Sequence, residues 1–458
     1  MIFLTSRNEG VYKILISIFT KKFFKNKKKK EVVHFKIIKK YDLIFLLSVL
    51  KEVLFFRIKN EKNVATLKYK NSNYGRYLLA VIYKDTRSYD SKLFFFYHFL
   101  KSIIIISRYY YSCKYFLKKK ISAIYLDHCV YLNGIIFEVF NNEKKIIYLN
   151  NYPKDLIELT PSNKHLSIED CFKIYNKKTR ISKSKILKIE KLQKEISAGK
   201  KNFYPWMSDT LYKKRKLKNF SKFDYIIYTH AFTDAQLNWG YDGFVNAYVW
   251  LDFTLNFFSK TNKNILVKAH PNFFISQKKY KLFSTSEKYL FNKILYKYSK
   301  YKNIEFLNLP IRNHDVMKKL KKKCIAITHH GSVGLELLIK NFKVISSECN
   351  FYDKSFNLSN QWNSEQEYKR LLNRNWSELK HHSKKDLYQI FNELFFGDTG
   401  YLSKNYHVKI LNKYLIKKKI ISQKEINIEK LSKKFQSLKN YEKIINNLNF
   451  TIHQIKIK

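Results

Sequence analysis

Short apolar runs alternate with longer amphipathic stretches through the second half of the chain. The runs FDYIIYTH, NILVKAHP, NIEFLN, CIAIT and FKVISSE have the length and residue types of buried strands. Between them, FVNAYVWLDFTLNFF, EKYLFNKILYKYSKY, RNHDVMKKLKKK and SVGLELLIK have helical spacing, and we expect Asn313 to cap the third of these helices. The strict alternation of strand and helix predicts a parallel, doubly wound α/β sheet.

The first half of the chain has a weaker pattern of the same kind. The stretch AIYLDHCVYLNGIIFEVFNNEKKIIYLN predicts strand, helix and strand, and a charged, irregular stretch from Lys177 to Lys222 predicts a domain boundary near residue 220. We expect four parts: a basic segment of unknown role (1–70), an α/β domain with a linker (71–220), a second α/β domain (221–411) and a charged helical tail (412–458). Two α/β domains leave a cleft between them, where ligands tend to bind.

Composition supports this division and changes the expected partners little. A chain of 458 residues with 45% apolar and 17% aromatic residues is long enough for two folded domains. The formal net charge of +53 would normally indicate nucleic acid or an anionic membrane surface. The lysines are scattered, however, no nucleic-acid-binding motif accompanies them, and the excess of Lys, Asn, Ile, Tyr and Phe is typical of A/T-rich codons. We therefore argue against nucleic acid as the partner.

The cysteines and the apolar segments predict a cytoplasmic protein. Five widely spaced cysteines without a C-x-x-C pair argue against a disulfide framework. The N-terminal apolar stretch VYKILISIF is followed by lysines rather than a cleavage site, so we expect no signal peptide. His98, Lys101 and Arg108 interrupt the most hydrophobic segment, which argues against a membrane span. A peripheral position on the inner membrane face stays open, since amphipathic stretches rich in lysine and phenylalanine can bind there.

Histidines follow the expected strands of the second domain. His230, His270 and the pair His329 and His330 come directly after three of these apolar runs. A lone histidine is most often an ordinary surface or core residue, but ligands of open parallel sheets bind beyond the carboxyl ends of the strands. This shared placement therefore predicts a ligand site. Only one of His329 and His330 should face the ligand, because adjacent strand residues point to opposite sides.

The stretch ITHHGSVGLELL has the features of a phosphate-binding turn. We expect Gly331 to allow a sharp turn with positive φ and a close approach to a ligand, and Ser332 to cap the helix that follows. The amides of that helix end would bind phosphate, and the Glu336 carboxylate would reach a ribose. A capping box is the structural alternative, but it needs the glutamate three residues after the cap, and here the spacing is four.

The loop THAFTDAQLNWGYDGFVN carries candidate chemistry. Asp234 can act as general base or nucleophile beside His230, although a turn-capping role fits its spacing equally well. His270, followed by a proline, is suited to donate to a phosphate leaving group. A zinc site of His230, Asp234 and His270 is a further alternative that no usual ligand spacing supports.

These segments together resemble the bacterial capsule and surface polysaccharide biosynthesis proteins, which are similar to two-domain GT-B glycosyltransferases that transfer Kdo from CMP-Kdo. The matching pieces are YTHAFTDAQLNWGYDGFVNAYVWLDFTL, NILVKAHPN and AITHHGSVGLELLIKNFKVISS, with a weaker match in ISAIYLDHCVYLNGIIFEVF. The resemblance spans roughly residues 75–375. One departure is KNFKV, where the family more often has a Gly-Lys-Pro turn; Asn341 can supply the left-handed conformation there.

The resemblance implies transfer of a sugar from a nucleotide-activated donor to a growing capsular or surface polysaccharide or a glycolipid. It implies catalytic roles for Asp234 and His270, and we place His230 beside them. It implies nucleotide binding by Gly331, Ser332 and Glu336, and we add His329, His330 and Gly334 from the same stretch. On the acceptor side, the candidates are His128 and Tyr131. We expect no metal and no cofactor beyond the donor itself. The alternatives are a same-fold glycerophosphotransferase or nucleotide-sugar epimerase, and a non-catalytic polysaccharide-export partner.

Overall fold

The computed structural model describes most of the chain between residues 31 and 396. The described residues are 2–5, 31–35, 37–54, 60–119, 121–127, 130–150, 156–159, 180–201, 217–234, 236–237, 239–274, 286–350, 352, 356, 358–396 and 451–453.

The second half of the chain forms a six-stranded parallel sheet. Its strands are β8 (Tyr225–Tyr228), β9 (Ile265–Lys268), β10 (Ile304–Leu307), β11 (Ile325–Thr328), β12 (Lys343–Ser347) and β13 (Asn360–Trp362). They lie in the order β10-β9-β8-β11-β12-β13, and every neighbouring pair is parallel. Sequence order therefore reverses direction between β8 and β11, as in a doubly wound dinucleotide-binding sheet. This confirms the predicted fold class for the second domain.

Helices follow the strands as the pattern predicted. They are α7 (Lys183–Ser197), α8 (Ala247–Phe258), α9 (Ser286–Tyr298), α10 (Asn313–Met317), α11 (Val333–Ile339), α12 (Glu365–Leu372) and α13 (Lys384–Phe391), with short 3-10 turns at Pro271–Phe274 and Trp376–Glu378 and a π-turn at Asn392–Phe396. We had expected Asn313 to cap α10, and this is wrong. Arg312 occupies the N-cap position but makes no side-chain capping hydrogen bond, and the Asn313 side-chain amide instead contacts Glu336.

The two central strands of this sheet, β8 and β11, are apolar on both faces. Alternate residues of β8 pack into two separate cores: Ile226 and Tyr228 into one, Tyr225 and Ile227 into the other. Because side chains alternate across a strand, a continuous apolar run such as YIIY can be buried only where helices cover both faces of the sheet. Trp250 on α8 and Leu335 on α11 lie in opposite cores, so these two helices cover opposite faces.

The first half of the chain forms a second, mainly parallel sheet. Its strands are β1 (Ile2–Thr5), β2 (Glu31–His34), β5 (Ile121–Asp127), β6 (Ile146–Asn150), β7 (Leu156–Leu159) and β14 (Thr451–His453), and a small hairpin joins β3 (Lys68–Tyr69) to β4 (Ser72–Asn73). The order is β14-β2-β1-β5-β6-β7, and only β6 and β7 pair antiparallel. The predicted strand, helix and strand over residues 121–150 are thus confirmed.

The helices of this half surround a single apolar core. They are α1 (Leu43–Leu54), α2 (Glu61–Ala65), α3 (Gly75–Ile82), α4 (Arg87–Asp90), α5 (Lys92–Leu117) and α6 (Leu132–Asn142). Phe45 on α1, Tyr110 on α5 and Phe137 on α6 all lie in that core. None of the helices in the described part of the chain is both long enough and apolar enough to cross a bilayer.

Long-range packing joins segments that the sequence analysis divides. The segment 1–70, whose role the sequence left unknown, supplies β1 and β2 to the first sheet. Helix α7, expected within the first domain's linker, buries Ile189 in a core of the second sheet. The expected helical tail lies outside the described residues except for 451–453, which form β14 beside β2 instead of a helix; Thr451 and Ile452 are β-branched and favour the extended backbone.

Alanine at Gly334 should destabilise the second domain. An added Cβ would lie 1.9 Å from the Tyr352 hydroxyl oxygen, so the packing of α11 must shift. We expect Gly334→Ala to lower the free energy of unfolding by about 1–3 kcal/mol in urea denaturation. The matched control is Gly331→Ala, whose Cβ would have the Thr328 hydroxyl at 3.3 Å and a Val333 methyl at 3.5 Å as its nearest neighbours, and which should change stability little. Equal stability of the two variants would contradict this account of the turn.

Candidate functional site

Three histidines meet at the carboxyl edge of the second sheet. His230 follows β8, His270 follows β9 and His330 follows β11, so the reversal of strand order brings them together. The ring centroids of His230 and His330 lie 4.0 Å apart, and those of His230 and His270 lie 5.9 Å apart. The structure thus collects the histidines that the strand ends predicted, at the position where ligands of such sheets bind.

The three rings are neutral near neutral pH. Burial lowers the pKa of His270 and His330 well below the ordinary value, and the charge of neighbouring His230 lowers both further. Burial also lowers the pKa of His230, although the Asp234 charge opposes that shift. Burial and the clustering of the rings both oppose protonation, so the donation to phosphate that we expect of His270 would come from a neutral ring.

Hydrogen bonds to Nδ1 assign different roles to His230 and His270. The Nδ1 of His230 lies 2.9 Å from the Ala231 carbonyl oxygen, to which it can only donate, so Nε2 is left as an acceptor. The backbone N–H of Asn272 donates to Nδ1 of His270 at 3.2 Å, so Nε2 of His270 carries the proton. The edge therefore offers one acceptor and one donor side by side.

His329 points away from this edge, into the core. Its side chain is 6% exposed, its Nε2 lies 2.8 Å from the Asp242 carboxylate, and its ring stacks 5.2 Å from Trp250. Burial raises the pKa of Asp242, but the charge and hydrogen bond of His329 more than offset this, so the pKa lies below the ordinary value. Of the two adjacent histidines, His330 lies at the carboxyl edge of the sheet with His230, and His329 packs beneath it in the core.

Asp234 lies exposed where the two domains meet. The Tyr131 hydroxyl, at the start of α6 in the first domain, donates to the Asp234 carboxylate at 3.3 Å. The Lys84 ammonium lies 3.4 Å from the centroid of the Tyr131 ring. Burial lowers the pKa of Lys84, and the charge of Asp234 opposes that shift. The structure therefore brings together the predicted acceptor-side residue Tyr131 and the predicted catalytic carboxylate. His128 lies outside the described residues.

Two residues that the sequence analysis missed hold the Asp234 loop. The buried Glu287 carboxylate, at the start of α9, accepts hydrogen bonds from the Thr233 amide at 2.7 Å and the Thr233 hydroxyl at 2.8 Å. The Tyr89 hydroxyl, from α4 of the first domain, donates to the Phe232 carbonyl. Both contacts join segments far apart in the chain, so no local pattern could have indicated them. These contacts hold Thr233 and Phe232, the two residues that precede Asp234.

The turn after β11 differs in two ways from its expected form. Gly331 does not have a positive φ, and Ser332 has helical backbone angles and makes no side-chain cap. The close packing in this turn falls on Gly334, which contacts Tyr352. Asn341 at the end of α11 does take the left-handed conformation, with φ 61°, as expected in place of a glycine.

Glu336 faces a second group of polar side chains below the turn. Burial raises its pKa to about 7, opposed by the Asn313 amide, whose Nδ2 lies 3.3 Å from Oε1, and then by the charge of Lys268. Burial lowers the pKa of Lys268, the last residue of β9, to about 8. Sequence reasoning did not single out Lys268 or the role of Asn313. Within the described residues, no group of three or more His, Cys, Asp or Glu side chains is placed to hold a metal ion.

Replacing one edge histidine should make stability less sensitive to acid. When the pKa of a histidine is lower in the folded protein than in the unfolded chain, the unfolded chain takes up the proton first as the pH falls. The histidine's contribution to stability is therefore lost as the pH falls below the unfolded pKa of about 6.5. From pH 7 to 5.5, His330→Gln should therefore lose about 1 kcal/mol less unfolding free energy than the parent protein. Urea denaturation at several pH values measures this. Parallel pH curves for the two proteins would show that His330 is not held neutral.

The comparisons with known proteins find distant structural similarity only. No protein-family profile and no curated sequence matches the chain. Among solved structures, the chain is similar to KpsC of Thermosulfurimonas dismutans, a beta Kdo 2,4 transferase, at 10% identity over 59% of this chain and 78% of that one, with a TM-score of 0.35. It is also similar to HepE of Anabaena, solved in complex with UDP and glucose, at 9% identity over 91% and 100% of the two chains, with a TM-score of 0.31. A Methanocaldococcus jannaschii UDP-GlcNAc 2-epimerase matches at 13% identity over 86% and 99%, with a TM-score of 0.28. Similarity at this level leaves the functional argument to the site residues.

Proposed function

We propose that the protein is a glycosyltransferase of GT-B type, which moves a sugar from a nucleotide-activated donor, CMP-Kdo or a similar compound, to a growing surface polysaccharide or glycolipid. One observation carries the proposal. An exposed carboxylate, Asp234, lies between a tyrosine of the first domain and a cluster of neutral histidines at the strand reversal of the second. Acceptor, sugar and nucleotide would meet there in that order.

The nucleotide would lie along the carboxyl edge of β8, β9 and β11. We assign contacts with it to the turn formed by His330, Gly331, Ser332 and Gly334, and contact with the ribose to Glu336. With a pKa of about 7, Glu336 is partly ionised at neutral pH and can accept a hydrogen bond from a ribose hydroxyl. His329 would contribute through its packing rather than by contact, since it is buried against Asp242.

Departure of the nucleotide places negative charge on its phosphate. The Nε2–H of His270 can donate to that phosphate, and a neutral donor inside a buried edge needs no reorganisation as the charge develops. His230, with its free Nε2, can accept a hydrogen bond from a donor hydroxyl at the same place. These residues would perform the step without a metal ion.

Asp234 would act on the acceptor side of the sugar. Its carboxylate can remove the proton of the attacking hydroxyl, which inverts the anomeric configuration. Alternatively it can attack the sugar to form a glycosyl ester as the nucleotide leaves, and the acceptor hydroxyl then displaces Asp234, which retains the configuration. Tyr131 orients the carboxylate, and the Lys84 ammonium lies against the face of the Tyr131 ring. A place on the inner face of the cytoplasmic membrane would suit a lipid-linked acceptor.

Removing either catalytic group should abolish transfer without unfolding the protein. We expect Asp234→Asn and His270→Ala to lower the rate of nucleotide release from a donor sugar by at least about 100-fold, the usual worth of a positioned acid or base. CMP release from CMP-Kdo and UDP release from UDP-GlcNAc, with and without polysaccharide acceptor, measure this.

The control is Asp252→Asn, which removes a carboxylate on α8 that pairs with Lys297 away from the site. It should keep full activity, because such a partly exposed ion pair contributes little. Parent-level transfer by Asp234→Asn or His270→Ala would disprove the assignment. Interconversion of the donor sugar without an acceptor would favour the epimerase alternative.

A further inference from the structure

Two helices of the first domain turn an apolar stripe towards solvent. On α1 the row is Leu43, Leu47, Leu50 and Leu54, with Ile44 also exposed beside it. On α5 the row is Leu93, Phe96, Tyr97, Leu100 and Ile104, with Phe94 also exposed beside it. The spacings of three, four and seven residues place each set along one helix face. Monomeric proteins rarely expose rows of large apolar side chains, so this surface is expected to bind a partner.

Each of these helices also has another apolar face, which is buried in the core of the first domain. Phe45 and Val49 bury the inner face of α1, while Phe99, Ile103 and Ile106 bury the inner face of α5. A helix that is apolar on most of its circumference is usually covered on every side. Folding of the first domain therefore accounts for one face of each helix and leaves the other unused.

The two stripes meet on one side of the domain. The Asp42 amide, one residue before Leu43, donates to the Ser107 hydroxyl at 2.8 Å, and Ser107 lies about one turn beyond Ile104. The start of the α1 stripe is thus next to the end of the α5 stripe. We call the surface made by the two stripes the apolar face.

Exposed charges beside the apolar face are positive. Lys39, Lys40 and Lys51 flank the α1 stripe, and Lys92 and Lys101 flank the α5 stripe. In residues 37–54 and 92–104, the acidic side chains are Asp42, which is buried, and Glu52, which is half-buried. Two acids lie just before α5, where Asp85 pairs with Arg87 and the exposed Asp90 pairs with Lys293. Lysines around an apolar row with aromatic residues form the surface expected of a helix that lies in the headgroup region of a bilayer.

We propose that the apolar face docks the protein on an anionic lipid bilayer, with α1 and α5 lying along the surface. A second copy of this chain fits less well, because a two-fold contact would place these lysines opposite one another, and the nearby acids Asp85 and Asp90 already pair with Arg87 and Lys293. The inference needs no catalytic step, since vesicle binding requires neither donor nor acceptor. Failure of the proposed transfer would leave it standing.

The test is co-sedimentation of the full chain with lipid vesicles. We expect binding to phosphatidylcholine vesicles that contain phosphatidylglycerol, at least about tenfold weaker binding to pure phosphatidylcholine, and weakening with salt. The variant carries Leu47→Glu and Leu100→Glu, at positions 65% and 47% exposed, where a charge disturbs no core. It should lose at least about tenfold in binding to the anionic vesicles.

The matched control is Leu187→Glu on α7, an equally apolar side chain that is 67% exposed elsewhere in the chain. It should bind anionic vesicles as the parent does, and circular dichroism should show both variants folded. The proposal is overturned if the double variant binds as well as the parent, or if charged and neutral vesicles bind alike. It is also overturned if light scattering shows a dimer that the double variant dissociates while vesicles bind neither protein.

Discussion

The parallel pairing of β11 with β8 is the contact on which the rest of the site depends. It joins Ile325–Thr328 to Tyr225–Tyr228, although these strands lie about a hundred residues apart in the chain. Both strands are apolar on both faces, so they are stable only in the centre of a covered sheet. Once they pair, the residues beyond their carboxyl ends have to share one edge. His230 and His330 are brought together by that pairing, and His270 by the pairing of β9 with β8.

Two further layers of contacts turn this edge into a site with defined chemistry. Behind it, the buried pair of Asp242 and His329 packs on Trp250, so the backbone that carries His330 has little freedom. In front of it, Glu287 and Tyr89 fix the loop that presents Asp234 to the first domain. The crowding of the rings then determines their protonation, because each charged histidine would face burial and a neighbouring ring. Packing thus sets the acid–base state of the edge.

The sequence was informative where the pattern was local. The continuous apolar strands, the helices between them and the histidines at strand ends all follow from periodicity and residue type. The sequence was less informative where long-range packing decides. The strands IFLT and EVVH are too short to stand out beside lysine-rich neighbours, and nothing local shows that α7 joins the second domain. Ser332 has the residue type of a cap but the backbone angles of a helix, and Glu287 acts across 54 residues of sequence. The choice between His329 and His330 needed the position of Asp242.

The central claim is that the edge beyond β8, β9 and β11 binds a nucleotide. The most direct test is the midpoint of thermal unfolding of the full chain with CMP, CDP and UDP, each compared with the same concentration of inorganic phosphate. A ligand that binds only the folded state raises that midpoint in a concentration-dependent way. The account predicts that at least one nucleotide does so well beyond phosphate, and that His330→Gln reduces the shift. Midpoints that no nucleotide moves further than phosphate does, up to millimolar concentration, would contradict it.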